Sequence, residues 1–250
     1  MTSLRRKVQE RAPLRGPFLS IPSAMTAEIV AGADPDFLCI DTEHSPISDA
    51  VMTDMIRAAD VAGLPALVRV RGLSGQNIAA ALDAGACGVL VPHVSTAEEA
   101  RAVVRYARFP PEGCRGAGPG RAAGYLRDIP GYIARAREET LVMVQIETMT
   151  AIENLAEIIA VPGIDLILVG PGDLGVDLAA RGSDKSVDEV IPGILDTARA
   201  ADMPVGIFSP DRDSSARWLE QLSFVIEGSD AMYLSLATDA AFAPLKTGKT

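Results

Sequence analysis

Lysine is nearly missing from this chain. Among 250 residues there are four: Lys7, Lys185, Lys246 and Lys249. None lies at the end of an expected strand. Schiff-base catalysis needs a positioned, desolvated lysine, so that route is closed. Histidine is scarcer still, with only His44 and His93. The three cysteines, Cys39, Cys87 and Cys114, are odd in number and far apart. They give neither a disulfide framework nor zinc-site spacing, and Cys39 and Cys87 sit inside apolar runs like small core residues. A formal net charge of −10 argues against nucleic acid as a partner. No run approaches 18 apolar residues, so no membrane-spanning helix is expected. The basic opening, Met1 to Gly16, has no apolar stretch of the kind a secretory signal needs. The expectation is a soluble, cytoplasmic protein. No nucleophile-elbow motif favours a catalytic serine or cysteine.

What the chain does have is hydrophobic content of 48%, arranged in short runs separated by helix-period segments. The runs fall at 17–21, 36–41, 65–70, 87–92, 141–147, 164–170, 203–208 and 224–227. Continuous apolar runs of this length read as buried parallel strands. Between them, Val51, Met55, Ile56 and Ala59 have helical spacing, and Thr96-Ala97-Glu98-Glu99 has the capping-box pattern. A helix is expected over 151–160 and an apolar helical tail over 230–245. Eight strands alternating with helices, with no linker, predict one (β/α)₈ TIM barrel over residues 1–250. An open doubly wound sheet would call for a glycine-rich phosphate fingerprint after an early strand, and none is present.

The strand ends carry the polar residues. In such barrels the active site lies at the C-terminal edge. Strand five ends Gln145-Ile146-Glu147 and strand six ends Gly170-Pro171-Gly172-Asp173. Neighbouring strands lie about 4.8 Å apart. Glu147 and Asp173 would then stand side by side, and two facing carboxylates need a proton or a cation between them. Surface or salt-bridged acids are the plain alternative; the shared edge favours a divalent metal. Oxygen donors alone match a hard ion, Mg²⁺ or Mn²⁺, with Co²⁺ possible. Gln145 projects to the same side as Glu147. His44 follows Asp41 and Glu43, and a carboxylate beside an imidazole raises its basicity, so His44 is the candidate general base. His93, after Pro92, reads mainly as a turn residue. Arg69 ends a buried run and must meet an anion, either an acid such as Asp41 or Asp83 or a substrate. Residues 108–128, rich in glycine and proline and carrying Arg108, Arg115, Arg121 and Arg127, form a long loop: a solvated insertion, or else an active-site wall or subunit contact.

Several of these segments resemble the HpcH/HpaI aldolases. They are Ile40-Asp41-Thr42-Glu43-His44-Ser45-Pro46, Leu82-Asp83-Ala84-Gly85-Ala86 with Leu90-Val91-Pro92, Pro110-Pro111-Glu112-Gly113-Cys114-Arg115-Gly116, Val144-Gln145-Ile146-Glu147-Thr148, Val169-Gly170-Pro171-Gly172-Asp173-Leu174 and Ser229-Asp230. The resemblance covers nearly the whole chain, in order. It implies a class II, metal-dependent aldolase that cleaves and forms 4-hydroxy-2-oxo acids from pyruvate, or a hydroxylated analogue such as hydroxypyruvate, and an aldehyde. It carries metal ligation to Glu147 and Asp173. Substrate binding goes to Arg69, Gln145, Gly172 and Asp173. The acid/base role goes to His44 with Asp41 and Asp83. It also implies a homo-hexamer, a trimer of dimers with the C-terminal helix packed on a neighbouring subunit. Gly172 replaces an alanine frequent in the family, which opens the pocket slightly. A 2-oxo diacid decarboxylase shares the same enolate, and a non-catalytic 2-oxo acid binder is the alternative from another class. A citryl- or malyl-CoA lyase fits less well, since the chain is short for one and lacks an extra lid or a basic nucleotide patch.

Overall fold

A computed structural model describes residues 2–244. Eight parallel strands close into a barrel in sequence order: β1 (Leu14–Leu19), β2 (Leu38–Asp41), β3 (Ala66–Arg69), β4 (Gly88–Val91), β5 (Leu141–Ile146), β6 (Leu166–Val169), β7 (Val205–Ser209) and β8 (Phe224–Ser229). β8 pairs back onto β1. Helices connect successive strands, so the (β/α)₈ expectation holds.

Side-chain alternation along the strands sorts the residues into two shells. Cys39, Leu67, Leu90, Met143, Leu166, Leu168, Phe224 and Ile226 join one buried cluster that fills the barrel. Ile40, Val68, Val89, Val91, Val142, Val144, Ile167, Val169, Ile207 and Val225 join a second cluster with the surrounding helices. Except for Ile226, the β-branched strand residues named here thus face the helices, where their stiff, flat surfaces pack well. Leucine, methionine and phenylalanine make up most of the interior.

Three local readings change. β1 begins at Leu14, not Pro17, and Pro17 sits where the β1–β8 register shifts between Gly16 and Phe18. Such an irregularity tolerates a residue without an N–H. The helix expected over 151–160 is two short ones, Met149–Glu153 and Leu155–Ile159, divided at Asn154, whose side chain donates to the Ser95 carbonyl at 2.9 Å. An unanticipated helix, Leu4–Gln9, is capped by Ser3 and sends Leu4 and Val8 into the inner cluster, closing the N-terminal mouth of the barrel.

The loop over 108–128 follows the helix Ala97–Ala107 and precedes Ile129–Glu139. Helices in this architecture run back against the strands, so the loop lies at the N-terminal end of the barrel. Arg108 there donates to the Thr140 carbonyl at 2.8 Å and pairs with Asp165 at 2.9 Å. Arg115 lies over the rings of Phe109 and Tyr132. The loop is therefore no wall of the C-terminal edge in its own chain. The C-terminal helix spans Asp230–Ala241; the expected continuation to Leu245 lies outside the described residues. Among the described residues no helix is long and apolar enough to cross a membrane.

Candidate active site

The inner shell turns polar at the C-terminal edge. Asp41 comes two residues after Cys39, Arg69 two after Leu67, and Gln145 and Glu147 two and four after Met143. All share the inward parity of the apolar residues before them. The sites are buried, so each charge needs a partner. Arg69 finds Asp41 through both oxygens: Nε donates to Oδ1 at 2.9 Å and Nη2 to Oδ2 at 2.7 Å. Its Nη1 stands 3.3 Å from Glu43 Oε2. The guanidinium carbon lies 4.3 Å from the centre of the Phe18 ring. Burial works against the charge on Arg69, but the Asp41 hydrogen bonds and the fields of Asp41 and Glu43 outweigh it and raise its pKa.

Glu147 is 1% exposed. Gln145 Nε2 donates to its Oε2. The His93 backbone N–H donates to Oε1 at 2.6 Å, and His93 Nδ1 stands 3.0 Å from the same oxygen. Burial pushes the Glu147 carboxyl upward; the two His93 contacts oppose this, and the charges of Asp173 and Glu43 add to it. The β5–β6 register pairs Ile146 with Val169, which sets Glu147 across from Gly170. A Cβ at Gly170 would lie 2.8 Å from Gln145 Nε2 and 2.9 Å from Glu147 Oε2, so only glycine fits against these groups. Asp173 is not on the strand end itself. It sits in the first turn of the helix Pro171–Ala180, where the helix dipole favours an anion.

This donor set fits a hard divalent cation. A buried carboxyl feels the fields of two others, and Glu43 Oε2 and Gln145 Oε1 are buried without hydrogen-bond partners. Glu147 and Asp173 would supply two oxygen ligands and leave other positions to water or substrate. Among the described residues, no group of three or more His, Cys, Asp or Glu side chains is gathered as an ion site.

A cleft of about 330 Å³ opens beside these groups, lined by Asp41, His44, Arg69, Gln145, Gly172 and Asp173 and walled by Phe18, Leu168, Phe208 and Met232. A Cβ at Gly172 would meet nothing within 4 Å. A larger cavity of about 930 Å³ lies at the N-terminal end, beside Pro65, Cys87 and Thr140, and holds none of the cleft residues.

The sequence profile of the HpcH/HpaI aldolase/citrate lyase family matches residues 15–235. The chain belongs to this family. A 2-dehydro-3,6-dideoxy-6-sulfogluconate aldolase of Pseudomonas putida is 36% identical over 92% of each chain. A 4-hydroxy-2-oxo-heptane-1,7-dioate aldolase of Klebsiella pneumoniae is 36% identical over 91% of this chain and 88% of its own. The crystal structure of an HpcH/HpaI aldolase/citrate lyase family protein from Burkholderia cenocepacia superposes with a TM-score of 0.89 at 33% identity, covering 95% of this chain and 96% of that one.

In this HpcH/HpaI family member, two expected pairings of His44 are not formed. Asp41 accepts from the His44 backbone N–H at 3.3 Å, but its carboxylate oxygens are held by Arg69. The acid nearest the His44 ring is Glu43, 3.7 Å away, and the ring is more than half exposed. Asp83 lies near the C-terminal end of the helix Gly75–Ala84, which returns to the opposite end of the barrel, and it pairs with Arg115 at 2.6 Å. Nor does Asp83 meet Arg69. Glu43 and His93 are the residues that sequence reading undervalued. Glu43 continues the inward parity of Cys39 and Asp41, a signal that was present. His93 gave no such signal, because its position depends on a single left-handed residue after Pro92.

Proposed function

We propose that this family member is a class II aldolase, a carbon–carbon lyase that reversibly cleaves 4-hydroxy-2-oxo acids to pyruvate, or a hydroxylated analogue, and an aldehyde. The observation that carries this is the buried Glu147 carboxyl, hydrogen-bonded by Gln145 and in the field of Asp173, behind a cleft that Gln145, Asp173 and Arg69 line at the C-terminal edge. A divalent ion, Mg²⁺ or Mn²⁺, bound by Glu147 and Asp173 would supply Lewis acidity toward the 2-oxo group. Arg69, fixed by Asp41, opposes negative charge developing on the keto oxygen from a rigid position. Gln145, Gly172 and Asp173 line the space for the 2-oxo acid. His44, open to the cleft, takes the proton of the C4 hydroxyl in cleavage and returns it in synthesis. Phe18, Leu168, Phe208 and Met232 keep water from one side of the cleft.

The oligomer we infer is a homo-hexamer, a trimer of dimers. Leu234 and Leu236 on the C-terminal helix are 56% and 64% exposed, apolar surface that a neighbouring subunit would cover. Residues 1–250 act as one cytoplasmic unit on this reading. The deciding experiment is exchange of the pyruvate C3 protons in D₂O, followed by NMR with Mg²⁺ and with chelator. Metal-dependent exchange, together with an aldehyde product from a 4-hydroxy-2-oxo acid, is the expected result. Exchange that persists in chelator removes the metal from the reading, and CO₂ in place of aldehyde turns it into a decarboxylase.

A further inference from the structure

His93 is neither a core residue nor an ordinary turn residue. Its ring is more than half exposed, so it fills no packing space. Its backbone has φ +57°, a left-handed conformation that a residue with a Cβ adopts at a cost. That conformation brings two groups of one residue to one oxygen: the backbone N–H donates to Glu147 Oε1 at 2.6 Å, and ring Nδ1 stands 3.0 Å from it. The far end of the ring, Nε2, stands 3.0 Å from Glu43 Oε1. The imidazole therefore spans from an acid that follows β2 to an acid that follows β5. With Gln145 on Oε2, both oxygens of the Glu147 carboxylate are fixed from outside.

We propose that His93 is a positioning residue for the metal centre: it sets the plane of the Glu147 carboxylate and ties it to Glu43. The proposal rests on the reading of Glu147 and Asp173 as metal ligands. Groups that orient a ligand typically govern metal affinity by about 10- to 100-fold. His93 is not among the residues that line the cleft, so its effect passes through Glu147.

The test is Mn²⁺ binding to the full chain, followed by the electron paramagnetic resonance signal of free Mn²⁺, with circular dichroism as a check on folding. His93→Ala is expected to weaken Mn²⁺ binding by about 10- to 100-fold. His93→Gly, which suits a positive φ and so stays folded, should weaken it to the same extent. His93→Asn keeps a donor near the place of Nδ1 and tolerates the left-handed backbone, and it should recover most of the affinity. Wild-type affinity in folded His93→Ala or His93→Gly overturns the proposal, as does an Asn variant no better than Ala. Glu147→Ala separates the two readings. If it binds Mn²⁺ as the wild type does, the metal centre is misplaced and the proposal falls with it. If Glu147→Ala loses Mn²⁺ while the His93 variants keep it, only the positioning role fails.

Discussion

Arg69 grips Asp41 through two parallel hydrogen bonds, 2.9 and 2.7 Å long, at the inner rim of the barrel. Both side chains are more than nine-tenths buried. Removing one partner of such a pair leaves a buried charge, at a cost of about 3–5 kcal/mol. Asp41→Ala should therefore lower stability by about that amount, reduced to the extent that Glu43 takes over. Urea unfolding of wild type and variant measures it; equal midpoints and slopes would show that Asp41 holds nothing.

Glu147→Gln should do opposite things to stability and to function. The folded protein raises the Glu147 pKa, chiefly by burial. A carboxyl raised on folding is destabilising once ionised; the penalty begins as pH rises past the unfolded value and is complete above the folded one. At neutral pH an uncharged amide removes it. The metal-free variant should melt higher than the metal-free wild type, while metal-dependent activity is lost. A lower melting temperature would mean that the His93 and Gln145 contacts outweigh burial.

The same shift fixes a pH dependence for the cation. A ligand must shed its proton to bind a metal. Mn²⁺ affinity should be level at high pH and fall as pH drops through the raised Glu147 pKa, about tenfold per unit below it. Calorimetry in two buffers of different ionisation enthalpy would also detect the released proton. Affinity that stays level down to the ordinary carboxylate range would contradict the burial-driven shift.

His44→Ala should lower turnover by about 10²- to 10⁴-fold while Mn²⁺ affinity and melting temperature persist, because the ring is exposed and makes no close ion pair. Steady-state rates of aldol cleavage, set against metal titrations, decide this. Unchanged turnover takes His44 out of the reaction.

Gly172→Ala should be accepted. The site is in the first turn of a helix and has open space around its missing Cβ. Alanine in place of glycine stabilises a helix by about 1 kcal/mol or less. The added methyl enters the cleft, so KM for the 2-oxo acid should change more than kcat.

The barrel was legible because its strands are continuous apolar runs with their polar residues gathered at one end. Asp41, Arg69, Gln145 and Glu147 could be read as one group, since the two-residue period carries the inner face beyond the last apolar side chain. Asp83 could not be placed in this way. It lies on a helix, and a helix after a barrel strand carries its last residues back to the far end. The helix Leu4–Gln9 leaves little pattern in the sequence, because only Leu4 and Val8 turn inward from a basic segment. His93 depends on one backbone angle, which no spacing pattern encodes.

The alternation that separates the two apolar shells also sets a reading frame for the chemistry. A single residue inserted in the middle of β5 would leave the composition of the strand almost unchanged. It would nonetheless turn Gln145 and Glu147 out toward the helices and bring Val144 and Ile146 to the cleft. Sequence change at the barrel rim is therefore constrained differently by substitution and by insertion. The strand ends can exchange one polar side chain for another and keep the fold, but they cannot gain or lose one residue without emptying the site.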